Sequence, residues 1–168
     1  KYTNFLHVGF QGEYTAQILG DTSLNYSLKV DEGRKHVDTS SPRLEQQVNA
    51  WLSDLMPGVT VQAKYSDETM SAQLEVSNRF TQSSSVLAPN IGFGISYVLP
   101  IIVTGLIASK GAFMLVENPE AHLHPSAQSK IGEFLAKVAS TGVSVIIETH
   151  SDHVLNGIQI AVAKKEIE

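Results

Sequence analysis

The stretch AFMLVE, residues 112–117, decides how the second half of this chain is expected to fold. It is an apolar run that leads straight into a carboxylate, and a second run, VSVIIE at residues 143–148, ends in the same way. Continuous apolar runs of this length are typical of parallel strands that are buried on both faces. The two stretches are therefore predicted to be core strands of one sheet.

Helical patterns surround these two strands and complete the expected fold class. An apolar helix at residues 95–109 precedes the first strand and is expected either to bend at Pro100 or to begin near it. Apolar residues at helical spacing lie between the strands and after them, at Ala127, Ile131, Phe134, Leu135 and Val138 and then at Val154, Leu155, Ile158 and Val162. Alternating helices and strands predict an α/β fold with parallel strands and right-handed crossovers.

The first half of the chain has the period of an antiparallel sheet. Apolar and polar residues alternate over VTVQAKY (59–65) and over TMSAQLEVS (69–77), which predicts a hairpin with one exposed face. A helix is predicted over residues 42–56, with Ser41 as its cap and Pro42 at its first position. We divide the chain into an antiparallel β region with one helix, residues 1–87, and an α/β lobe, residues 88–168.

The first third of the chain is expected to be β-like, with a polar loop after its first two runs. The runs FLHVGF (5–10) and YTAQILG (14–20) flank Gln11-Gly12 and predict a second hairpin. The polar stretch DEGRKHVDTSS, residues 31–41, is predicted to be a mobile loop.

The composition of the chain excludes several kinds of site and several classes of protein. The chain has 168 residues, of which 42% are hydrophobic and 17% charged, as expected for a globular core. It has no cysteine, so disulfides and thiolate metal sites are excluded, and its net charge of -5 argues against a chain-wide nucleic-acid surface. The longest apolar run, residues 98–108, is too short for a bilayer, so we expect a soluble, cytoplasmic protein. Both ends look cut inside an element, and we expect a piece of a longer chain.

Polar residues follow both core strands at the same edge of the predicted sheet. Glu117 and Glu120 follow the first strand, and His150 and Asp152 follow the second. In open α/β sheets, ligands bind at the carboxyl ends of the strands. A solvated strand end is the alternative for Glu117, and a backbone-bonded structural histidine is the alternative for His150. Asp152 is expected to cap the last helix.

Two further groups of residues suggest sites. His122 and His124, with Glu117 and the HSDH stretch at 150–153, suggest a metal-dependent hydrolase that uses Zn²⁺ or Mn²⁺, although Pro125 places the first two histidines in a turn. The glycine-rich stretch NIGFG, residues 90–94, precedes a helix and suggests an anion cradle. A non-catalytic, partner-binding role is the third alternative.

The order of these parts resembles the C-terminal lobe of an ABC-type ATPase head, a P-loop NTPase. The resemblance covers residues 88–163 and is to the RecF/OLD-like branch of AAA ATPases, some of which serve anti-phage systems such as Septu and retron-linked defence. It implies that Glu117 is the Walker B acid that holds the Mg²⁺ shell and that Glu120 is a second acid. It also implies that His150 contacts the γ-phosphate and that Asn118 stands where relatives have the catalytic Glu.

The resemblance also implies a nucleotide contact before the apolar helix and an assembly. Asn90, Gly92, Gly94 and Ser96 fall on the signature motif, and residues 122–125 fall on the loop that touches the partner subunit. The implied cofactors are ATP and Mg²⁺. The implied assembly is a head-to-head homodimer with composite ATP sites, with an effector nuclease or nucleic acid as a further partner and no membrane.

Three departures from the family pattern shape the expected chemistry. Asn118 cannot take a proton whereas Glu120 could, Gly92 stands where many relatives have Ser, and no G-x-x-x-x-G-K-[ST] stretch occurs in the 168 residues. We therefore expect these 168 residues alone to be inactive as an ATPase.

Overall fold

The structure is a computed structural model that describes residues 6–66, 68, 71–80, 86–87 and 93–164. Its helices are α1 (Thr15–Gly20), α2 (Thr22–Ser27), α3 (Leu44–Leu55), α4 (Phe93–Ile107), α5 (Pro125–Ser140) and α6 (Asp152–Ala163). Its strands are β1 (Val59–Ser66), β2 (Ser71–Asn78), β3 (Val86–Leu87), β4 (Phe113–Glu117) and β5 (Ser144–Glu148). None of the described helices combines the length and hydropathy that a membrane span requires.

Strands β4 and β5 form the predicted parallel pair, joined by α5, so the α/β class is confirmed. Their burial differs from the prediction. Met114 and Val116 join the hydrophobic core, but on the opposite face Phe113 and Leu115 are each 73% exposed and Ile146 is 55% exposed. The prediction that both faces are buried was wrong for the described residues, because the described helices bury only the face that carries Met114 and Val116.

Strands β1 and β2 form the predicted antiparallel hairpin. Val61 lies opposite Val76 in the register, and both side chains are buried, as the alternating pattern requires. Strand β3 adds a third antiparallel strand beside β2, at a place where the sequence predicted only a loop. Two residues carry too little periodicity for a strand to be recognised in advance.

The predicted N-terminal hairpin was wrong, since residues 15–20 form helix α1 and residues 6–10 form no strand. Thr15, Ile18 and Leu19 are buried, and their spacing of three and four residues is helical. The preceding turn contains Gly12 at φ +79°, where a Cβ would lie 2.3 Å from Cγ of Pro100. The close approach of α4 therefore sets the path of this turn.

The predicted loop at residues 31–41 contains a short 3-10 turn at Glu32–Arg34, and although most of it is exposed, Arg34 and His36 are buried against the helices. The guanidinium of Arg34, which is 3% exposed, donates to the carbonyls of Gly105 at 3.0 Å and Ala108 at 2.5 Å. Its Nε donates to the Thr141 hydroxyl at 2.6 Å, and the Trp51 indole donates to the Arg34 carbonyl at 2.9 Å. We call residues 31–41 the Arg34 segment, and it ties α3, α4 and α5 together.

Helix α3 begins two residues later than predicted, at Leu44, and its N-cap residue is Arg43 rather than Ser41. Its buried residues include Val48, Trp51 and Leu52. Its Trp51 ring lies 5.0 Å from the Phe134 ring of α5, so one core contains residues from both halves of the chain. The division at residue 87 stays a prediction. Helix α4 begins at Phe93, so Pro100 lies inside it rather than at its start.

Candidate active site

The carboxyl ends of β4 and β5 bring two acidic residues side by side. Glu117 and Glu148 are partners in the parallel register, and the ladder continues where the Asn118 amide donates to the Glu148 carbonyl at 2.8 Å. Side chains alternate between the faces of a strand, so both glutamates share the face of Leu115 and Ile146, and both are exposed. Of these two glutamates, only Glu117 was predicted as a site residue.

A tight turn follows β4 and brings the chain back over the strand ends. Asn118 has φ +47° and His122 has φ +59°, in the left-handed region that Asn and His adopt more readily than most residues. The Ala121 amide donates to the Asn118 carbonyl at 2.9 Å, and the Leu123 amide donates to the Glu120 carbonyl at 3.1 Å. The turn directs the Glu120 side chain toward the end of β5.

Glu120 holds the segment after β5 with both of its carboxylate oxygens. The Thr149 hydroxyl donates to Oε2 at 2.7 Å, and the His150 amide donates to Oε1 at 2.8 Å. Burial raises the pKa of Glu120, but the hydrogen bonds from Thr149 and His150 outweigh it, so the pKa lies below its ordinary value. Glu120 is therefore ionised at neutral pH and fixes the backbone at His150.

A second set of contacts anchors the same segment to α5. The Ser151 hydroxyl donates to Oε1 of Gln128 at 2.6 Å, and Nε2 of Gln128 donates to the Leu123 carbonyl at 2.9 Å. Ser151 also caps α6 by accepting from the His153 amide, so the expectation that Asp152 is the cap was wrong. A Ser directly before the helical pattern was the available signal for this cap, whereas nothing local indicated Gln128.

The start of α4 lies against the turn after β4. A Cβ at Gly94 would lie 3.1 Å from the His122 carbonyl oxygen and 2.9 Å from Cε of Met56, so glycine allows this close approach. Ser96 is exposed in the first turn of α4. Asn90 and Gly92 lie outside the described residues. Of the two predicted nucleotide contacts that are described, Gly94 therefore adjoins the Glu117–His122 turn, and Ser96 lies two residues further along the same helix.

A model of the AAA ATPase domain family matches residues 11–155, which is most of the chain. The chain belongs to the AAA ATPase domain family. No functionally curated protein matches this AAA ATPase domain.

Solved SMC ATPase heads share the fold of this AAA ATPase domain. An SMC ATPase studied for ATP-driven dimerization and DNA-stimulated activation is 12% identical with a TM-score of 0.53, over 68% of this chain and 71% of that chain. The Smc head domain from Pyrococcus furiosus, bound to the C-terminal domain of ScpA, is 12% identical with a TM-score of 0.55, over 68% of this chain and 29% of that chain. A third head, bound to the C-winged helix domain of ScpA, is 15% identical with a TM-score of 0.54, over 68% of this chain and 36% of that chain.

The histidines after β4 do not assemble into a metal centre with the other candidates of this AAA ATPase domain. Nδ1 of His124 caps α5 by accepting from the Ser126 amide, and the His122 ring lies 5.1 Å from the Tyr97 ring. Within the ranges that the structure describes, the one group of three metal-ligating side chains is elsewhere, at His36, Asp38 and Asp54. The geometry therefore does not favour the metal-hydrolase alternative.

Both ring nitrogens of His36 are already engaged. Nδ1 accepts from the Asp38 amide at 3.2 Å, which leaves the proton on Nε2, 3.1 Å from Oδ2 of Asp54. The ring is 5% exposed and packs edge-on against Trp51 at 4.8 Å. These contacts give His36 a structural role in docking the Arg34 segment onto α3.

Proposed function

We propose that this AAA ATPase domain binds and hydrolyses ATP with Mg²⁺ and that the edge formed by β4 and β5 is its catalytic edge. The observation that supports this most is the Glu120 carboxylate, which holds the Thr149–His150 segment beside the end of β4. A γ-phosphate contact must be positioned rigidly because phosphoryl transfer depends on positioning and electrostatics rather than on covalent chemistry. We also propose that the domain belongs to the RecF/OLD-like branch of AAA ATPases.

The residues of the edge fit this chemistry. Glu117 is an exposed carboxylate at the end of a core strand, and Mg²⁺ prefers oxygen ligands of this kind. When bound, Mg²⁺ would neutralise charge on the phosphates of ATP. The exposed ring of His150 would donate to the γ-phosphate while its own amide stays bound to Glu120. The side-chain amide of Asn118 can orient water or phosphate by hydrogen bonds, but it cannot accept a proton.

Substitution of His150 tests whether this edge is catalytic. In a longer protein that contains this domain, His150→Ala should lower kcat for ATP by about 100-fold or more, the usual effect of losing one transition-state donor. His153→Ala is the matched control, because His153 is also exposed and lies three residues further along. It should leave kcat unchanged. Equal losses in the two variants, or no loss in either, would contradict the proposed role.

We propose further that the active form is a head-to-head homodimer with composite ATP sites. Ser96 is exposed and lies two residues after Gly94, which packs against the Glu117–His122 turn, and this supports a surface that meets a partner subunit. One of the SMC ATPases of the same fold was studied for ATP-driven dimerization. Light scattering should therefore show that the longer protein changes from monomer to dimer when ATP is added, and a mass that does not depend on ATP would contradict this.

DNA is the proposed ligand that regulates hydrolysis, in keeping with a role in DNA-related or anti-phage functions. The SMC ATPase named above was studied for DNA-stimulated activation. Adding double-stranded DNA should raise the ATPase rate of the longer protein, whereas heparin, an anionic control, should not. An effector nuclease would be a separate partner, to be sought by co-purification.

A further inference from the structure

Glu148 is a carboxylate of the catalytic edge to which the family resemblance assigns no role. It is the last residue of β5 and the register partner of Glu117. Hydrogen-bonded strands lie about 4.8 Å apart, so two side chains on the same face can reach one small ligand together. Within the described part of the chain, neither the Glu117 nor the Glu148 carboxylate has a hydrogen-bond or ion-pair partner.

The other residues of the edge are poor proton acceptors for an attacking water. Asn118 follows Glu117 directly, and its amide takes no proton at neutral pH. Both oxygens of Glu120 accept hydrogen bonds, from Thr149 and His150, and they face β5 rather than solvent. Glu117 is assigned to the Mg²⁺ shell by the proposed function. Glu148 is then the one exposed carboxylate among the described strand-end residues whose lone pairs are not used.

We propose that Glu148 is the general base of ATP hydrolysis in this domain, an inference that rests on the proposed function. The water oxygen forms a bond to the γ-phosphorus while the bond between that phosphorus and the β–γ bridging oxygen breaks. ADP leaves with the electron pair of the broken bond. The proton of the water passes to the Glu148 carboxylate and from there to solvent.

The placement on β5 suits this role. The position of Glu148 is fixed by the parallel ladder, which the Asn118 amide extends by bonding to the Glu148 carbonyl at 2.8 Å. The Glu120 contacts to the next two residues restrain the same backbone. A base held by a strand and a hydrogen-bonded turn keeps its distance to the reacting water better than one on a free loop.

The test compares two isosteric substitutions in the longer protein. Glu148→Gln should lower single-turnover ATP hydrolysis by about 100-fold or more, the usual contribution of a general base, while the Kd for a fluorescent ATP analogue with Mg²⁺ stays within threefold. Glu117→Gln should weaken the Mg²⁺-dependent binding itself. Glu68→Gln is the matched control, since Glu68 is exposed beside the β1–β2 turn, away from the edge, and it should change neither quantity.

Two further measurements separate a base from a structural residue. Glu148→Asp, which keeps a carboxylate on a shorter stem, should hydrolyse ATP at a rate between those of the wild type and Glu148→Gln. The acidic limb of the wild-type pH–rate profile should flatten in Glu148→Gln. Two outcomes would overturn the role of Glu148 as general base but leave the proposed function standing. One is hydrolysis by Glu148→Gln within threefold of the wild type, and the other is an Asp variant as slow as the Gln variant. A wild-type protein without ATPase activity would overturn the proposed function and this inference together.

Discussion

The positions of the key polar side chains in this domain are fixed mainly by their hydrogen bonds. Glu120 shows this most clearly, because its two oxygens accept from one hydroxyl and one amide of the segment after β5. Arg34 plays a comparable part on the other side of the core by donating to the last carbonyls of α4. The partners of both residues are far away along the chain, so the local sequence does not indicate these contacts.

Replacing Glu120 by Gln should destabilise the domain. The amide nitrogen of Gln cannot accept the hydrogen bond that one of the two oxygens now accepts, so a half-buried donor loses its partner. We expect a loss of about 1–3 kcal/mol in the free energy of unfolding at pH 7, measured by urea denaturation. Asp152→Asn, at an exposed acid nearby, serves as the control and should change it little. An unfolding curve of Glu120→Gln that matches the wild type would contradict the role of these contacts.

The same carboxylate predicts a dependence of stability on pH. The pKa of Glu120 is lower in the folded domain than its ordinary value of 4.5. Its contribution to stability is therefore fully present above pH 4.5 and is lost as the pH falls through the folded pKa. Wild type and Glu120→Gln should differ most at pH 7 and converge toward pH 3, when urea denaturation is repeated across this range. A difference that grows toward acid pH would reverse the assigned sign.

Pairs of elements are held by close backbone approaches and by the buried side chain of Arg34. Helices α5 and α6 cross so closely that a Cβ on Gly157 would lie 1.9 Å from the Ser129 carbonyl oxygen, and one on Gly132 would lie 2.2 Å from that of Val154. The Arg34 segment links α3, α4 and α5 by hydrogen bonds at their ends. These contacts fix how α5 packs beside the parallel strand pair.

Gly157→Ala should force α5 and α6 apart. The added methyl group meets backbone rather than a flexible side chain, so the helices themselves must move. We expect a loss of about 1–3 kcal/mol in stability, in spite of the better helix propensity of Ala. Stability is measured by urea denaturation, in which Asn156→Ala, at an exposed neighbouring position of α6, should be neutral or slightly stabilising. Equal stability of the two variants would show that the helices can separate at little cost.

Arg34→Met should weaken the junction of α3, α4 and α5. Met retains much of the side-chain volume, but it leaves the Gly105 and Ala108 carbonyls without their donor. Because hydrogen bonds to charged groups are worth about 1.5–3 kcal/mol each, we expect the midpoint of urea unfolding to fall clearly. Arg79→Met, at an exposed position, is the control and should leave the midpoint unchanged.

At the scale of the whole molecule, one core joins the two sheets and one apolar sheet face stays exposed. Phe113, Leu115 and Ile146 form that face on the parallel pair. Contiguous apolar surfaces of this kind bind hydrophobic dyes and promote association. The 168-residue chain should therefore bind ANS, and the double substitution Leu115→Thr and Ile146→Thr should reduce the fluorescence. Val37→Thr, at an 83% exposed position away from the sheet, should not.

The sequence by itself determined the helices and strands of the second half and the β1–β2 hairpin. Their periodicity is local: Ile131, Phe134 and Val138 repeat at helical spacing, and Val59 and Val61 alternate with polar residues. Strand ends that carry acids also indicated the edge where the candidate site lies.

Only the tertiary structure decided which residues meet at that edge and which face of the parallel pair stays exposed. The pairing of Glu117 with Glu148 depends on strand register. The Glu120 contacts depend on a turn with two residues in the left-handed region, Asn118 and His122. The burial of Arg34 and His36 in a polar stretch depends on carbonyls and carboxylates supplied by other elements. Local patterns report how apolar a segment is, but the satisfaction of a buried polar group is decided by partners far along the chain.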